Sequence, residues 1–322
     1  MNGCKAIVAT LIIPFLFGCS KKSNKVYERN GNIIKFGYYP SSIVSDSTII
    51  NNLNSKIGDL PNEDNNNSWI SYNYYILDEV SNYMWYIDID LDNDNIFDFR
   101  GVYFTKYRPY NTNLDSTENN TCQFYCGFEK NHLYWFKYEK IEWTIIKEEK
   151  NKATIITKEA IDSQEYYPSI KRGEIDHDGI MAYAHNYEWS YIRKWLNESF
   201  LNTAFNEKEA SIINVTHVDN SYGADNGDTY EAKDTLDKVY LLSRDEALIY
   251  FDSLEKRQIS STTYARCMGL NSPVDDCAPW LLRSPYVSIS NYVLYATYDG
   301  NFTHAETNST YIGIRPVIEI KL

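Results

Sequence analysis

The sequence predicts an α+β fold in which a mixed or antiparallel sheet carries most of the core, together with a few short helices and long loops. The first observation behind this prediction is aromatic content: the 322 residues include 29 tyrosines, 13 phenylalanines and 7 tryptophans, and such residues favour strands. The second is a hydrophobic fraction of 43%, which is enough for a substantial core. The third is that helical periodicity first becomes convincing at Trp189.

The N-terminus has the pattern of an exported lipoprotein. Lys5 supplies a short positive region, residues 6–17 are apolar, and Gly18 precedes Cys19. This pattern is typical of a secretory signal peptide over residues 1–18, because the apolar run is too short to remain as a membrane span. The segment resembles the bacterial lipobox, which implies acylation of Cys19 and a lipid anchor in the cell envelope, facing the periplasm or the exterior. Ordinary signal cleavage, with Cys19 incidental, is the alternative.

The mature chain begins with a polar segment. Residues 20–30 show no hydrophobic period, so we predict a flexible tether over 19–30 and a single domain over 31–322. The net charge of the whole chain is −13 and its pI is about 4.9. Such a surface repels phosphate backbones, so we expect no nucleic-acid partner. The acidity itself is typical of a solvated extracellular surface.

Strand patterns fill the first half of the domain. Bulky and β-branched residues recur in short segments that are separated by Gly, Pro, Asn and Asp. The strands are predicted at residues 31–40, 69–77, 83–91, 97–104, 133–138, 141–146 and 153–157. The segments 83–91 and 97–104 face each other across a turn at 92–95, which predicts a hairpin. A short helix is predicted near 47–57.

Helices are predicted mainly in the second half. Apolar residues recur at three- and four-residue spacing over 189–205, which predicts an amphipathic helix that packs on the sheet. Two further short helices are predicted from capping boxes, which pair Asn206 with Glu209 and Ser243 with Glu246. The segment 238–242 is predicted to be a buried strand or turn.

Three strands are predicted near the C-terminus, at residues 280–285, 292–302 and 313–320. We expect them to form one closing sheet, and we expect the last strand to return to the strand at 31–40. Arg283 and Arg315 lie inside apolar segments of this region. A half-buried guanidinium needs acceptors such as a carboxylate or several carbonyls. We therefore predict structural roles for both arginines.

Acidic residues around the predicted hairpin are the best metal candidates. Calcium takes six to eight oxygen ligands, and four acids have positions 1, 3, 5 and 9 of a calcium loop. These acids are Asp90, Asp92, Asp94 and Asp98. Asn95 stands where the loop has glycine, and Gly101 stands where it has a bidentate glutamate. An acidic hairpin with Asp88, Asp90 and Asp92 on one solvated face is the alternative, so calcium is the one cofactor that we consider.

Four cysteines follow Cys19, in a compartment that permits disulfides. Cys267 and Cys277 enclose a short loop just before Trp280, and a bridge there contributes about 2 to 3 kcal/mol. We predict that bridge. The pairing of Cys122 and Cys126 stays open between a local bridge and a cross-link to the core. A zinc site is not expected, because these two cysteines and His132 fall short of four ligands.

No catalytic residues are predicted. The sequence contains no Gly-x-Ser-x-Gly, no glycine-rich phosphate loop and no metalloprotease-type histidine pair. Paired carboxylates for glycoside hydrolysis leave no local signature, so that alternative stays open.

Seven segments carry a resemblance to a known family. They occur in order at 35–40 (KFGYYP), 100–104 (RGVYF), 134–139 (YWFKYE), 192–197 (IRKWLN), 237–243 (DKVYLLS), 280–285 (WLLRSP) and 313–316 (GIRP). Together they resemble the bacterial domain-of-unknown-function family DUF6273 over residues 31–322. The resemblance implies no activity, because the family has none established.

The C-terminal arrangement of strands is also similar to the end of C-type-lectin-like folds, including the sulfatase-modifying proteins. Those proteins use cysteines late in the chain as their reactive centre, whereas no cysteine follows Cys277 here. The comparison therefore implies a C-type-lectin-like α+β domain without that activity. Residues 50–132 are interpreted as a β-rich insert in this domain.

The leading functional hypothesis is a non-catalytic binding module, anchored to the envelope by lipid, for an extracellular glycan or protein. Aromatic residues of the C-terminal region are the predicted ligand contacts, because their rings offer amphipathic contact area. These residues are Trp280, Tyr292, Tyr295 and Tyr298. The first alternative is an envelope hydrolase or modifying enzyme with a spatially assembled acidic site. The second is an architectural envelope component.

Overall fold

The computed structural model describes residues 26–72, 74–76, 79–81, 83–94, 96–108, 121–168, 171–221, 232–272 and 277–322. These residues form a mixed α+β structure with mostly antiparallel sheets and few short helices, which confirms the predicted class. Cys19 and the predicted signal peptide over 1–18 lie outside the described residues. None of the described helices is both long and apolar enough to cross a membrane.

The strands of the described residues are β1 (Glu28–Asn30), β2 (Ile33–Ile43), β3 (Ile70–Ser71), β4 (Tyr74–Ile76), β5 (Glu79–Ser81), β6 (Met84–Ile89), β7 (Phe99–Phe104), β8 (Leu133–Glu149), β9 (Lys152–Thr157), β10 (Ile175–His177), β11 (Ile180–Ala182), β12 (Thr216–Val218), β13 (Thr235–Asp237), β14 (Val239–Tyr240), β15 (Trp280–Pro285), β16 (Tyr292–Ala296), β17 (Phe302–Glu306) and β18 (Val317–Lys321). The helices are α1 (Ser47–Asn54), α2 (Cys122–Tyr125), α3 (Tyr191–Trp195), α4 (Leu201–Ala204), α5 (Glu207–Ala210), α6 (Arg244–Tyr250), α7 (Leu254–Arg257) and α8 (Thr263–Cys267).

The 17-residue strand β8 organises the main sheet. The sequence predicted two strands here, but the chain runs through as one. The first part of β8 pairs with β7, its last part pairs with β9, and β2 pairs along its middle. The order β14-β18-β9-β8-β7-β6-β3, with β2 and β1 added at β8, gives nine strands among the described residues. The predicted hairpin of 83–91 and 97–104 is confirmed as β6 and β7, so the insert extends this sheet.

The C-terminal strands lie in two sheets, which corrects the prediction of a single closing sheet. Strands β15, β16 and β17 form an antiparallel sheet of their own. Strand β18 instead pairs with β9 and β14 in the main sheet. The physical reason is that the backbone of Gly313 crosses beside Trp280 and accepts a hydrogen bond from Leu281 N at 2.9 Å. The chain then passes on to the main sheet, where β8 and β9 separate β18 from β2.

The predicted helix over 189–205 is confirmed with one irregularity. Helix α3 continues through a π-helical turn at Leu196–Phe200 into α4. This helical run packs on β2 and β8, where Phe205 contacts Phe36 with ring centroids 4.9 Å apart. Phe200 lies edge-on to Tyr39 at 5.3 Å. Both predicted capping boxes are present, at the starts of α5 and α6.

The start of the domain lies earlier than predicted. Strand β1 pairs with β2, and Arg29 forms a bidentate ion pair with Glu148 at 2.7 and 2.9 Å. The tether predicted over 19–30 is therefore a strand over its last residues. Local pairing across the tight turn at Gly31 explains this difference, since the polar sequence of the segment has no hydrophobic period that signals a strand.

Both predicted structural arginines are buried, with 4% of each residue exposed. Arg283 donates to the carbonyl oxygens of Leu241 and Asp219 and forms an ion pair with Glu246 of α6. Arg315 donates from Nε to the carbonyl of Thr157 at 2.8 Å. Its guanidinium lies 5.1 Å from the ring centroid of Trp280. Burial without a carboxylate lowers the pKa of Arg315 to about 9.

Gly37 allows β2 to bend over the helical run. The register between β2 and β8 shifts at this residue, which has φ 72°, in the left-handed region. A Cβ atom at Gly37 would lie 2.6 Å from the Phe205 ring and 2.7 Å from the Ala204 carbonyl oxygen. Gly31 has a similar φ of 60°, but a Cβ there would meet nothing within 4 Å.

We expect Gly37→Ala to lower the free energy of unfolding by about 2–4 kcal/mol, because backbone strain of about 1–2 kcal/mol adds to overpacking against α4. Gly31→Ala is the matched control and carries the backbone strain alone. Urea unfolding of both variants measures the difference. Equal losses in the two variants would show that the contact with Phe205 is unimportant.

Candidate functional site

An open cleft of about 900 Å³ lies beside the main sheet. It is lined by residues of β2, β3, β6 and β7 together with residues of β10, α3 and β13 and of the segments next to them. Its volume is within the range of small-molecule and cofactor sites in proteins. The cleft is therefore the candidate ligand site.

The floor of the cleft is a buried ion pair. Arg100, which is 3% exposed, donates from Nε and Nη2 to the two carboxylate oxygens of Asp88 at 2.8 and 2.7 Å. These residues lie directly opposite each other on β7 and β6. A bidentate guanidinium–carboxylate pair is geometrically specific and holds both side chains in place. Asp88 is thus buried, which corrects the alternative that placed it on a solvated face.

Tyrosine rings surround the guanidinium of Arg100. The Tyr86 ring lies 4.1 Å from it, and the rings of Tyr138 and Tyr264 lie at 5.6 and 5.9 Å. Arg100 Nη1 also donates to the Tyr264 hydroxyl at 3.2 Å. The Tyr264 hydroxyl shares a 2.5 Å hydrogen bond with Tyr72. These contacts make the floor a packed aromatic and ionic layer that is held from several elements.

A buried carboxyl group lies behind the floor. Tyr39 lines the cleft and donates its hydroxyl to Asp162 at 2.6 Å. Asp162 also accepts from the backbone amide of Ser163 and from Gln164. Burial raises the pKa of Asp162 to about 6, although the hydrogen bond from Tyr39 opposes this shift. Asp162 does not line the cleft, so it supports Tyr39 and does not contact a ligand.

Two groups of aromatic side chains line the cleft. In the first group, Tyr72 and Tyr86 pack against each other with ring centroids 4.8 Å apart. In the second group, His177 stacks on Trp189 at 5.3 Å and lies edge-on to Tyr167 at 5.7 Å. Burial lowers the pKa of His177, so its imidazole is neutral at pH 7. We call Tyr72 and Tyr86 the sheet wall, and Tyr167, His177 and Trp189 the hairpin wall.

Carboxylates and one lysine complete the lining. Asp176, Asp178, Glu188 and Glu198 line the cleft together with Lys194. The other acid of the lining, Asp237, forms an ion pair with Arg193 at 2.8 Å. The cleft thus combines apolar rings with an excess of negative charge.

The second half of the chain matches a known protein family. A family model described as Domain of unknown function (DUF6273) matches residues 150–322, which is more than half of the chain. The chain belongs to the DUF6273 family. No curated protein and no solved structure matches it.

The DUF6273 match begins one residue after β8 ends. The segments 35–40, 100–104 and 134–139, on which part of the resemblance was based, therefore lie outside it. The hairpin wall, α3 and β13 belong to the matched region, whereas the sheet wall and Arg100 precede it. The candidate site of this DUF6273 protein is thus formed jointly by the matched region and by the residues before it.

The predicted calcium ligands come together in part. Carboxylate oxygens of Asp90, Asp92 and Asp98 lie within 4.8 Å of one another. The turn is held by hydrogen bonds from Asn93 N to Asp90 and from Leu91 N to Asp98, at 2.8 and 2.7 Å. Asp94 lies in the same turn but is not part of this group of three. Calcium binding here stays a prediction, and this turn does not line the cleft.

The predicted aromatic ligand contacts lie elsewhere than the cleft. Trp280 is completely buried and donates its indole N–H to the Arg257 carbonyl, so it is a core residue, which corrects its prediction as a ligand contact. Tyr292 and Tyr295 are half-buried on β16, and Tyr298 is 60% exposed. A ligand role of these three tyrosines stays a prediction.

The four described cysteines are free thiols in the structure. Cys267 is buried in α8, and Cys126 donates to the Leu270 carbonyl just beyond that helix. Gln123 joins α2 to α8 through a 2.7 Å hydrogen bond to the Cys267 carbonyl. The disulfide between Cys267 and Cys277 stays a prediction, as does the pairing of Cys122 and Cys126.

No residue that lines the cleft was predicted from the sequence as a site residue. One signal for the cleft is nevertheless present in the sequence. Asp88 and Arg100 lie on the two strands of a hairpin that the sequence predicted, and opposite charges inside apolar strands favour a cross-strand pair. The hairpin wall left no comparable signal, since Tyr167 and His177 lie in no predicted strand or helix and Trp189 is only the first residue of the helix predicted over 189–205.

A second buried acid, Glu165, should make the stability of the fold depend on pH. Burial raises its pKa to about 7, although Arg108 opposes this shift. One of its carboxylate oxygens has no hydrogen-bond partner among the described residues. A carboxyl group with a raised folded-state pKa stabilises the fold at low pH, and this contribution disappears as the pH rises through that pKa.

We expect Glu165→Gln to remove this pH dependence. Relative to wild type, the free energy of unfolding of the variant should rise by about 2 kcal/mol between pH 5 and pH 7.5, because the amide does not ionise. Urea unfolding at the two pH values measures this change. Glu63→Gln, at an exposed position, is the control and should follow wild type. Parallel pH profiles for Glu165→Gln and wild type would contradict the raised pKa.

Proposed function

We propose that this protein is a lipid-anchored binding module of the bacterial cell envelope and that the cleft binds an oligosaccharide. The observation that carries the proposal is the pair of aromatic walls on a rigid floor. The apolar faces of sugar rings pack on aromatic side chains, and tyrosine and tryptophan lose little conformational entropy on contact. The ion pair of Arg100 with Asp88 holds the sheet wall in place before a ligand arrives.

A C-type-lectin-like relationship is part of this proposal. The antiparallel sheet of β15–β17, followed by a terminal strand, supports it. Strand β18 lies in the same sheet as β1 and β2, so strands from the two ends of the described chain share one sheet, as this relationship predicts.

The cleft is tested by binding to an oligosaccharide array, followed by titration of the strongest ligand. Trp189→Ala removes half of the stacked pair in the hairpin wall, so we expect at least a tenfold loss of affinity, or about 1.4 kcal/mol. Tyr298→Ala is the matched control, because that ring is exposed and lies outside the cleft. Thermal unfolding confirms that both variants are folded. An array without a ligand contradicts the proposal, and a loss confined to Tyr298→Ala places the site on the C-terminal sheet.

A hydrolase is the second candidate function, because carboxylates line the same cleft. Asp176 and Glu188 are two of these lining acids, and they are the pair that would serve such chemistry. Product analysis of the array ligands after incubation with the protein discriminates the two functions: released reducing ends indicate hydrolysis, and unchanged ligand indicates binding alone.

The lipid anchor is tested at Cys19. We expect mass spectrometry of the membrane-extracted protein to find an acylated N-terminal Cys19, because the apolar segment before it ends in the lipobox pattern. The Cys19→Ala variant should no longer be processed at this position. A mature N-terminus at another residue, without acyl groups, would contradict the anchor.

A further inference from the structure

The cleft has an excess of negative charge that its own residues do not neutralise. Arg100 is paired with Asp88, and Arg193 is paired with Asp237. Lys194 is then the one lining cation outside these pairs among the described residues. It faces four lining carboxylates that form no ion pair within the described part of the chain, namely Asp176, Asp178, Glu188 and Glu198.

Among the described residues, three basic side chains line the cleft, and two of them are already paired. From residue 26 onward, every lysine and arginine of the sequence falls within a described segment, and those that line the cleft are Arg100, Arg193 and Lys194. Burial lowers the pKa of His177, which favours the neutral form of its imidazole, although Asp176 and Asp178 oppose this shift. A ligand with positive charge would therefore gain Coulomb energy on entering, and an anionic ligand would lose it.

The arrangement of the acids favours a distributed charge over a metal ion. The one group of acids within 4.8 Å of one another among the described residues is Asp90, Asp92 and Asp98, outside the cleft. No three of the four acids of the cleft thus come within 4.8 Å of one another to hold one metal ion. Ile70 and Leu236, 52% and 66% exposed, add apolar surface to the lining. The ligand must then combine apolar faces with separated positive charges.

We infer that the cleft selects oligosaccharides with free amino groups, such as hexosamine chains that lack their N-acetyl groups. This inference rests on the proposed function. The aromatic walls pack on the sugar rings, and the ammonium groups of successive sugars lie near the lining carboxylates. A neutral, N-acetylated chain keeps the stacking but loses the charge contacts.

The test is isothermal titration at pH 6 with the glucosamine hexamer, the N-acetylglucosamine hexamer and hexalysine. We expect the glucosamine hexamer to bind at least tenfold more tightly than its N-acetylated form. Its affinity should fall as salt rises, because these carboxylates are partly exposed. The double variant D178N/E198Q should lose this tenfold preference and keep the affinity for the N-acetylated hexamer. Neither side chain of the double variant takes part in the ion pairs of the floor.

Two controls separate the possible results. Asp59→Asn removes an exposed acid outside the cleft and should behave as wild type. Trp189→Ala should weaken both hexamers, because the stacking wall is common to them. Equal or tighter binding of the N-acetylated hexamer, still dependent on Trp189, would overturn the charge inference and leave the proposed function intact. Tight binding of hexalysine alone would overturn the assignment to a sugar. If none of the three ligands binds to the wild-type protein, and the titrations of Trp189→Ala are the same as those of wild type, the proposed function is contradicted as well.

Discussion

The buried pair of Arg100 and Asp88 is the constraint on which the cleft depends. Removing two charges from water costs several kcal/mol for each ion, so such a pair persists only where its geometry and its surroundings compensate. Here the compensation comes from bidentate contact, from the Tyr264 hydroxyl of α8 and from the ring of Tyr86. Because the contributors lie far apart in the sequence, the pair fixes the insert strands against the rest of the domain.

The two walls of the cleft differ in how their backbone is held. The sheet wall is part of β6 and its neighbours, where ladder hydrogen bonds hold the backbone. In the hairpin wall, His177 lies on β10, which pairs with β11 in a two-stranded sheet separate from the main one, whereas Tyr167 and Trp189 lie outside strands and helices. Contact between a fixed surface and a loop-borne surface is a common way to build ligand specificity, since loops change sequence at little cost to the scaffold.

Local sequence signals predicted much of the fold and little of the site. The hairpin of β6 and β7, the capping boxes at Asn206 and Ser243, and the burial of Arg283 all follow from residues that are close in the chain or strongly patterned. The continuity of β8 was missed because Glu139 and Lys140 interrupt its apolar pattern, although pairing with β2 continues through both residues. The site was missed for a different reason. The cleft is lined by residues such as Tyr72, Arg100 and Trp189, which come to the same place only when the chain folds. Each of them alone is an ordinary core or surface residue.

The position of β8 has a consequence for how this domain is divided. The family match begins at residue 150, but β9, the first strand of the matched part, forms its ladder with residues 143–149 of β8. A truncated protein that started at residue 150 would leave one edge of β9 open and would uncover the apolar side chains that Trp143 and Phe36 now cover. Open edges of this kind recruit foreign strands and lead to aggregation. The family match therefore begins inside a continuous sheet, and residue 150 is not a position at which the polypeptide can be divided into two stable parts.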